Sequence, residues 1–220
     1  MCGRFLLTTT GERLAEHFGV PALAELPFRY NVAPSQPVPA VGLDREGRRA
    51  LAALRWGLVP RWSSDAKRAP INARAETAAS KPSFAESLRQ RRCLVPADGF
   101  YEWQRQGKYK QPFCFRLCDD RPFAFAGIWD AWREPGGTLL LTCAFLTTEA
   151  NELVRPVHDR MPVIVPDCQY DLWIDRDVQD AAELAPVLRP FPAEEMRAFA
   201  VGLAVNDPRN DGPECLAPAA

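Results

Sequence analysis

Short apolar runs separated by turn residues dominate the pattern of hydrophobic and polar positions along this chain. Two runs, residues 38–43 and 50–58, flank the polar stretch Asp44-Arg45-Glu46-Gly47 and predict two strands joined by a turn. Further runs, separated by turn signals such as Gly107, predict strands over residues 93–96, 100–105, 113–117, 123–132, 139–147, 163–165 and 199–205. The pattern therefore predicts a fold rich in short strands.

Helical patterns are confined to short segments. Thr9 and Glu12 form a capping-box pattern and Gly19 is typical of the position after a helix, so a helix is predicted between them. Other helices are predicted over residues 83–91, 150–154, 167–174 and 181–188. Because no linker divides the chain, we expect a single α+β domain over residues 1–220, with a curled, mainly antiparallel β-sheet or partial barrel flanked by short helices.

The composition argues against several protein classes. The chain of 220 residues is 47% hydrophobic, which suffices for a core, and its 21 prolines are scattered along the sequence. No apolar run approaches the roughly 20 residues of a membrane span, and Arg4 interrupts the N-terminus, so we expect a cytoplasmic protein without membrane contact. Seven cysteines without a Cys-x-x-Cys pair, and only two histidines, argue against a metal site, and the six internal cysteines are expected to be reduced and buried.

The charge is distributed unevenly along the chain. Residues 1–116 contain 19 Lys and Arg against 10 Asp and Glu, whereas residues 117–220 contain 8 against 18. Arginine predominates among the cations, and its planar guanidinium suits bidentate contact with phosphate. The asymmetry is typical of a protein with one side facing nucleic acid, although a solvated surface of mixed sign fits the same numbers.

Cys2 is the most informative candidate for chemistry. If Met1 is removed, Cys2 presents an α-amine and a thiol on adjacent carbons, with ordinary pKa values of about 7.7–8.0 and about 8.5. The amine can attack an aldehyde to form a Schiff base, and the thiol can then close a five-membered thiazolidine ring. No internal cysteine can do this, because its nitrogen belongs to a peptide bond.

Two more candidates lie in or beside predicted strands. Glu102 stands between Tyr101 and Trp103, so strand alternation places it on the face opposite both rings. There it is either a cleft carboxylate with a raised pKa, suited to proton transfer, or an outward-facing strand residue. His158 precedes an apolar strand and either projects into a cleft or is an ordinary hydrogen-bonded histidine.

A fourth segment contains Asn72 and Arg74, which share one face if the chain is extended there. An amide that orients a hydroxyl and a guanidinium that holds a phosphate would suit a sugar-phosphate ligand. The alternative is an ordinary polar loop.

Together these segments resemble the SRAP family of abasic-site processing proteins, once called SOS-response-associated peptidases. The resemblance runs nearly from end to end and rests on these stretches of sequence: Met1-Cys2-Gly3-Arg4-Phe5, Tyr30-Asn31-Val32-Ala33-Pro34, Arg55-Trp56-Gly57-Leu58, Asn72-Ala73-Arg74-Ala75-Glu76-Thr77, residues 93–103, Gly127-Ile128-Trp129-Asp130, the segment around His158, and Asn206-Asp207-Pro208-Arg209-Asn210-Asp211-Gly212. So many matches in one order are far more specific than any single motif.

The resemblance implies that the chain binds abasic sites in single-stranded DNA and captures the ring-opened sugar on Cys2 as a thiazolidine crosslink. It implies that Glu102 moves protons, that His158 assists sugar-ring opening, and that Asn72 fixes the sugar and the Cys2 backbone. It also implies a set of DNA contacts: Arg4 and Arg74 at phosphates, Trp56 and Trp62 as stacking surfaces, and a wedge loop that includes Asn31 and Pro34. The expected protein is a monomer that acts on nucleoid DNA and needs no cofactor.

Two other functions compete with this one. A cysteine-type peptidase could use Cys2, His158 and an acid, and would cleave peptide substrates. A non-catalytic reader of DNA would bind without depending on Cys2. Crosslinking predicts reaction only with aldehydic DNA, which distinguishes it from both.

Overall fold

The computed structural model describes residues 2–21 and 26–219, and in these ranges the chain forms two β-sheets and several short helices. The strands are β1 Arg4–Leu7, β2 Arg29–Val32, β3 Pro37–Leu43, β4 Arg49–Trp56, β5 Asn72–Arg74, β6 Arg92–Ala97, β7 Gly99–Gln106, β8 Tyr109–Leu117, β9 Phe123–Arg133, β10 Leu139–Glu149, β11 Arg160–Pro162, β12 Ile164–Val165 and β13 Met196–Ala200. The α-helices are α1 Gly11–Phe18, α2 Ala75–Ala78, α3 Ala85–Gln90 and α4 Tyr170–Ile174. Short 3₁₀ helices occupy Asp167–Gln169, Ala193–Glu195, Leu203–Asn206 and Pro213–Leu216.

The strand pairing confirms the predicted fold class. One sheet has the order β13-β8-β7-β1-β2, and all of its pairs are antiparallel. The other has the order β11-β10-β4-β3-β6-β9-β12, with β5 beside β10. A further pairing of β10 with β9 closes the middle of this sheet into a barrel, in which β10 runs parallel to β4 and β5. The fold is therefore α+β and mainly antiparallel, with a curled barrel-like sheet.

Aromatic side chains join the two sheets. Phe5 of β1 is fully buried, and its ring lies 5.6–5.8 Å from the rings of Trp56, Phe125 and Phe145, all of which belong to the barrel sheet. Trp56 stacks on Phe145 at 4.5 Å and donates its indole N–H to Ile71 O. Such ring pairs contribute about 0.5–1.5 kcal/mol each beyond their buried area, so they fix β1 firmly against the barrel.

The C-terminal residues cover the other face of the five-stranded sheet. Val201, Val205 and Cys215 pack there against Leu6 and Tyr101 in a second, smaller apolar cluster. This cluster is separate from the main core, so the five-stranded sheet lies between two apolar layers.

Asn31 is the polar centre of this C-terminal packing. Its buried amide Nδ2 lies within hydrogen-bonding distance of three carbonyl oxygens, those of Val205, Asp207 and Asn210, at 3.2, 3.0 and 2.8 Å. Asp211 accepts from the backbone N–H groups of Tyr30 and Asn31 and pairs with Arg29. We call residues 203–212 the C-terminal clasp.

Several predicted elements differ from the observed ones. Thr10, not Thr9, caps α1 through the Arg13 N–H, because Thr9 and its backbone are engaged by Asp98. Gly19 ends α1 as expected, with φ 61°. Cys118 and Cys168 are exposed, whereas the other internal cysteines are buried as predicted.

Two predicted helices are chains of turns instead. Residues 150–154 are bent by the Asn151 side chain, whose Oδ1 accepts from Val154 N–H. Residues 181–188 form mostly turn-type bonds three residues apart, and Pro186 lacks the N–H that a helix would need. The last strand is β13, Met196–Ala200, and part of the predicted 199–205 strand is a 3₁₀ turn in the clasp.

The clasp gives a stability prediction. Asn31→Ala removes the amide that lies among three carbonyl oxygens, one of them fully buried, and the acceptor of an Arg4 hydrogen bond, so we expect a loss of about 2–3 kcal/mol in the free energy of unfolding. Urea unfolding followed by fluorescence measures it. The exposed Gln179→Ala is the control and should change stability by less than about 0.5 kcal/mol. Equal stability of the two variants would contradict the central role of Asn31.

Candidate active site

The pairing register of β1 with β7 fixes the position of Cys2. Arg4 pairs with Tyr101 in the antiparallel ladder, so the residues before Arg4 run alongside Glu102 and Trp103. Cys2 is fully buried, its thiol approaches Arg4 O at 3.7 Å, and its carbonyl accepts from Asn72 Nδ2 at 2.7 Å. Burial, reinforced by the charge of Glu102, raises the pKa of the Cys2 thiol well above its usual range.

Glu102 is a buried carboxylate on the face predicted from strand alternation. Tyr101 and Trp103 point into the small cluster under the clasp, and Glu102 is only 3% exposed, which excludes an outward-facing strand residue. Burial raises the pKa of Glu102 above its usual value, and the charge of His158 partly opposes the rise. The site therefore contains a carboxyl group suited to both giving and taking a proton.

Asn72 lies on β5, which pairs with the middle of β10 through Phe145. Its Nδ2 holds the Cys2 carbonyl, while its buried Oδ1 has no hydrogen-bond partner among the described residues. An unfilled acceptor next to Cys2 is suited to a hydroxyl or an amine of a ligand.

His158 lies two residues before β11 and is half-buried. Its Nδ1 accepts from Arg160 N–H at 2.9 Å and also lies 2.9 Å from Asp159 Oδ1. In the neutral ring the Arg160 bond leaves the proton on Nε2. Because His158 interacts electrostatically with Glu102, the structure brings together all four predicted catalytic side chains: Cys2, Asn72, Glu102 and His158.

The side chains predicted to contact DNA fall into two groups, one accessible to solvent and one buried. Arg74 and Trp62 are exposed, Trp62 by 66%, and Pro34 is half-buried beside exposed Ser35. Asn31 and Trp56 are fully buried. The Asn31 side chain is hydrogen-bonded within the clasp and the Trp56 ring packs in the aromatic core. Neither side chain is therefore accessible to DNA, in contrast to the DNA contacts expected from the sequence.

Arg4 is largely committed within the protein. Nη1 donates to Asn31 Oδ1 at 2.9 Å and to Val205 O at 2.7 Å, and the guanidinium lies 6.0 Å from the Trp103 ring centre. It lies beside the site, but its hydrogen bonds hold the clasp, and the predicted phosphate contact stays a prediction. Trp103, next to Glu102 in sequence, has no role predicted from sequence; its ring lies beside Arg4 and its indole N–H donates to Asn206 Oδ1 at 2.7 Å.

Asp130 ends the Gly127-Ile128-Trp129-Asp130 stretch, for which the sequence alone predicts no role. It is buried and accepts from Arg61 N–H at 2.9 Å and Arg61 Nε at 3.0 Å, while Arg91 Nε lies 3.3 Å away. Trp132 Nε1 donates to Ser63 O in the same loop. These bonds fix the loop that presents Trp62 to solvent.

The described residues contain neither a cluster of metal-binding side chains nor a helix that could span a membrane. Within residues 2–21 and 26–219, no three His, Cys, Asp or Glu side chains are grouped as a metal site would need. None of the helices in those ranges has the length and apolar character needed to cross a bilayer.

Comparison with known proteins identifies the family of this chain. The family model described as "SOS response associated peptidase (SRAP)" matches residues 1–208. This chain belongs to the SRAP family. It is 42% identical to "Abasic site processing protein YoqW" of Bacillus subtilis, over 98% of this chain and 99% of that protein.

Other SRAP relatives are more distant. "Abasic site processing protein HMCES" of Gallus gallus is 36% identical over 77% of this chain and 58% of that protein. Among solved structures, a protein from Bacteroides thetaiotaomicron superposes with a TM-score of 0.88 at 26% identity and covers 100% of both chains. The SRAP fold described above is thus shared along its whole length.

The buried carboxylate predicts an unusual pH dependence of stability. Because the folded-state pKa of Glu102 is raised, the native protein binds more protons than the unfolded chain at pH values above the unfolded pKa of about 4.3. Stability attributable to this group is therefore greatest at low pH and falls as the pH rises through the folded pKa. Glu102→Gln should be more stable than the wild type at pH 7, by about 1.4 kcal/mol for each unit of pKa elevation. The difference should shrink as the pH falls through the folded pKa of Glu102 and vanish near the unfolded pKa of about 4.3.

Melting temperatures of the two proteins across pH 4–8 test this expectation. The exposed Glu194→Gln serves as the control and should show no such trend. A Glu102→Gln protein less stable than the wild type at pH 7 would contradict the assignment of a buried, costly carboxylate.

Proposed function

We propose that this SRAP protein binds abasic sites in single-stranded DNA and captures the ring-opened sugar as a thiazolidine on Cys2. The observation that carries the proposal is the position of Cys2, which is buried, hydrogen-bonded to Asn72 and electrostatically coupled to Glu102. The names of the relatives YoqW and HMCES support abasic-site processing as the general activity. The amine, the thiol and the carboxyl group that the reaction needs belong to the chain and the aldehyde belongs to the DNA, so the proposal requires no cofactor.

The proposed reaction begins with the loss of Met1, which frees the α-amine of Cys2. That nitrogen attacks the aldehyde carbon of the open sugar, and loss of one water leaves a Schiff base. The thiol sulfur then adds to the same carbon, and its proton passes to the nitrogen. One C–N and one C–S bond form and one water is released, so no oxidant or reductant is needed.

Glu102 is assigned the proton transfers. The thiol is held protonated by its raised pKa, so ring closure needs a base beside it. The water that leaves needs an acid. A carboxyl group whose own pKa is raised by burial can fill both roles in turn.

Asn72 and His158 are assigned supporting roles. Asn72 Nδ2 restrains the Cys2 backbone, and its unfilled Oδ1 would accept a hydrogen bond from the sugar or the freed amine. His158, with Nδ1 occupied by Arg160 N–H, would present Nε2–H toward the sugar-ring oxygen and assist ring opening.

DNA would be held around this pocket by exposed side chains. Arg74 would neutralise a phosphate, Trp62 would stack on an unpaired base, and Pro34 would wedge the strand at the lesion. Arg4 would contribute mainly by fixing the clasp and Trp103. We place the protein as a monomer on nucleoid DNA.

The peptidase alternative requires different electrostatics. A cysteine peptidase lowers the pKa of its nucleophile with a neighbouring imidazolium or helix N-terminus. Here burial and Glu102 raise the pKa of Cys2 instead. This difference favours amine-first chemistry on an aldehyde over thiolate attack on a peptide.

Replacement of the nucleophile tests the proposal directly. Wild-type protein lacking Met1 should gain the mass of an abasic oligonucleotide less one water, and the adduct should survive denaturation. Cys2→Ser and Cys2→Ala should lose that stable adduct, because without the thiol only a reversible Schiff base or a weaker oxazolidine can form. Intact-mass spectrometry measures both outcomes.

The matched control is Cys168→Ser, which removes an exposed thiol far along the sequence and should react like the wild type. A stable adduct of wild-type yield with Cys2→Ser would overturn the proposal. So would the absence of any adduct in wild-type protein whose Met1 is shown to be removed.

The role of Glu102 gives a kinetic prediction. Positioned acid–base groups contribute about 10²–10⁴-fold in rate, so Glu102→Gln should slow single-turnover crosslinking by at least about tenfold. Its affinity for DNA with a non-reactive abasic analogue should remain nearly unchanged. Glu194→Gln is the control, and equal rates for both variants would assign Glu102 a purely structural role.

A further inference from the structure

The β7–β8 hairpin extends beyond the sheet on the side of the candidate site. The last β1 residue paired with β7 is Arg4, opposite Tyr101, and the last contact on the outer side of β8 is Val201 N–H to Pro112 O at 3.0 Å. Residues 104–111 therefore form a two-stranded ribbon that pairs with no third strand of the described chain. Gly107, with φ 62°, lies in its turn.

This ribbon is cationic without acidic neighbours in sequence. Residues 103–118 contain no Asp or Glu, and the ribbon carries Arg105, Lys108 and Lys110. All three side chains are exposed, and none makes a hydrogen bond or ion pair with other described residues. Many other arginines of this protein are engaged by carboxylates or carbonyls, so these three charges are available to an external polyanion.

The ribbon also places an aromatic ring in line with the site. Glu102 and Gln106 lie on the same face of β7, and Tyr109 pairs directly with Gln106 and shares that face. Four residues at about 3.4 Å each put Tyr109 roughly 14 Å from Glu102. Tyr109 is 82% exposed, which is unfavourable for a ring unless it has a partner to cover it.

The base of the ribbon adjoins the rest of the site. Gln104 Nε2 donates to Pro156 O at 3.1 Å, two residues before His158. Beyond Cys2, the free edge of β7 continues without a neighbouring strand toward Arg105. Arg105 and Lys110 pair with each other on the opposite face of the ribbon from Tyr109, so a strand of DNA that leaves the pocket along this edge would meet the ring on one face and cations on the other.

We propose that the β7–β8 hairpin is a second DNA-binding subsite, in which Arg105, Lys108 and Lys110 contact phosphates and Tyr109 stacks on a base of the single-stranded flank. Cations interleaved with an exposed ring are the combination that binds single strands without sequence preference. The substrate is that of the proposed function, on which this inference rests for its ligand. The subsite adds a contact on one flank of the lesion, a few nucleotides from the reacting sugar.

The test uses oligonucleotides with a tetrahydrofuran abasic analogue, which has no aldehyde and cannot crosslink. Flanks of three or twelve nucleotides on either the 5′ or the 3′ side are compared by fluorescence anisotropy at several salt concentrations. Wild-type protein should gain affinity when one particular flank is lengthened. The triple variant Arg105→Gln, Lys108→Gln, Lys110→Gln should lose that gain, bind the long flank at least about tenfold more weakly, and flatten the salt dependence by about two units.

The controls distinguish a loss of affinity caused by these particular cations from one caused by lower net charge or by misfolding. The triple variant Arg13→Gln, Arg45→Gln, Lys81→Gln removes three exposed cations elsewhere and should bind the long flank nearly as the wild type does. Tyr109→Ala should weaken long-flank binding by about fivefold or more, and Tyr109→Phe should restore it. Melting curves verify that each variant is folded.

The outcomes are distinguishable from those of the proposed function. Wild-type affinity and salt dependence in the hairpin triple variant would overturn the subsite, as would an equal loss in the control triple variant. Absence of crosslinking to true abasic DNA by the wild type would overturn the proposed function. That result would leave the binding measurements, made on an unreactive analogue, to decide the subsite separately.

Discussion

The position of Phe5 is the constraint on which the candidate site depends. Its ring is enclosed by Trp56, Phe125 and Phe145 of the barrel, while its backbone pairs with Phe100 on one side and Val32 on the other. A residue held by packing on one sheet and by ladders in another has little freedom to shift. Cys2 lies only three residues earlier, so it is held in register with Glu102 of β7.

The C-terminal clasp secures the opposite face of the same strands. Arg4 and Asn31, from neighbouring strands of the five-stranded sheet, both donate to Val205 O. In the other direction, the Asp211 carboxylate accepts from the backbone N–H of Asn31 in β2. The N-terminal strand is thus fixed from both faces by groups more than 170 residues away in sequence. These hydrogen bonds explain the structural role of the long polar motif at residues 206–212, which has no evident chemistry of its own.

The sequence predicted the strand-rich fold because the fold depends on local patterns. The four candidate side chains, Cys2, Asn72, Glu102 and His158, lie together in the fold, but their expected roles came from the resemblance to the SRAP family. Alternation around Glu102 gave its face correctly, and the chemistry of an N-terminal cysteine needs no structure to be recognised. Burial was harder to predict. Trp56 and Asn31 occur in motifs that resemble DNA-contacting segments, yet their side chains are used in the core and the clasp, which only tertiary packing reveals.

The charge asymmetry shows the same limit. Several arginines of the basic half pair with carboxylates of the acidic half, as in Arg29–Asp211, Arg49–Asp171 and Arg61–Asp130. The imbalance along the sequence is therefore partly cancelled within the fold, and a count of charges overestimates the cationic surface. A cationic side chain is available to bind DNA when it has no partner within the protein, and only the folded chain shows which side chains have this property.

The burial of Cys2 and Glu102 has consequences for stability and, under the proposed function, for chemistry. Burial raises the pKa of Cys2 and of Glu102, so each is held with its proton more tightly than in water. The folded protein loses stability by enclosing a carboxyl group that would be ionised in solvent, and it gains a proton donor and acceptor beside the thiol. The amine that would start the reaction does not exist until Met1 is removed. Under this scheme the folded chain arranges the acid, the thiol and the amide first, and the final nucleophile is uncovered within a site that is already assembled.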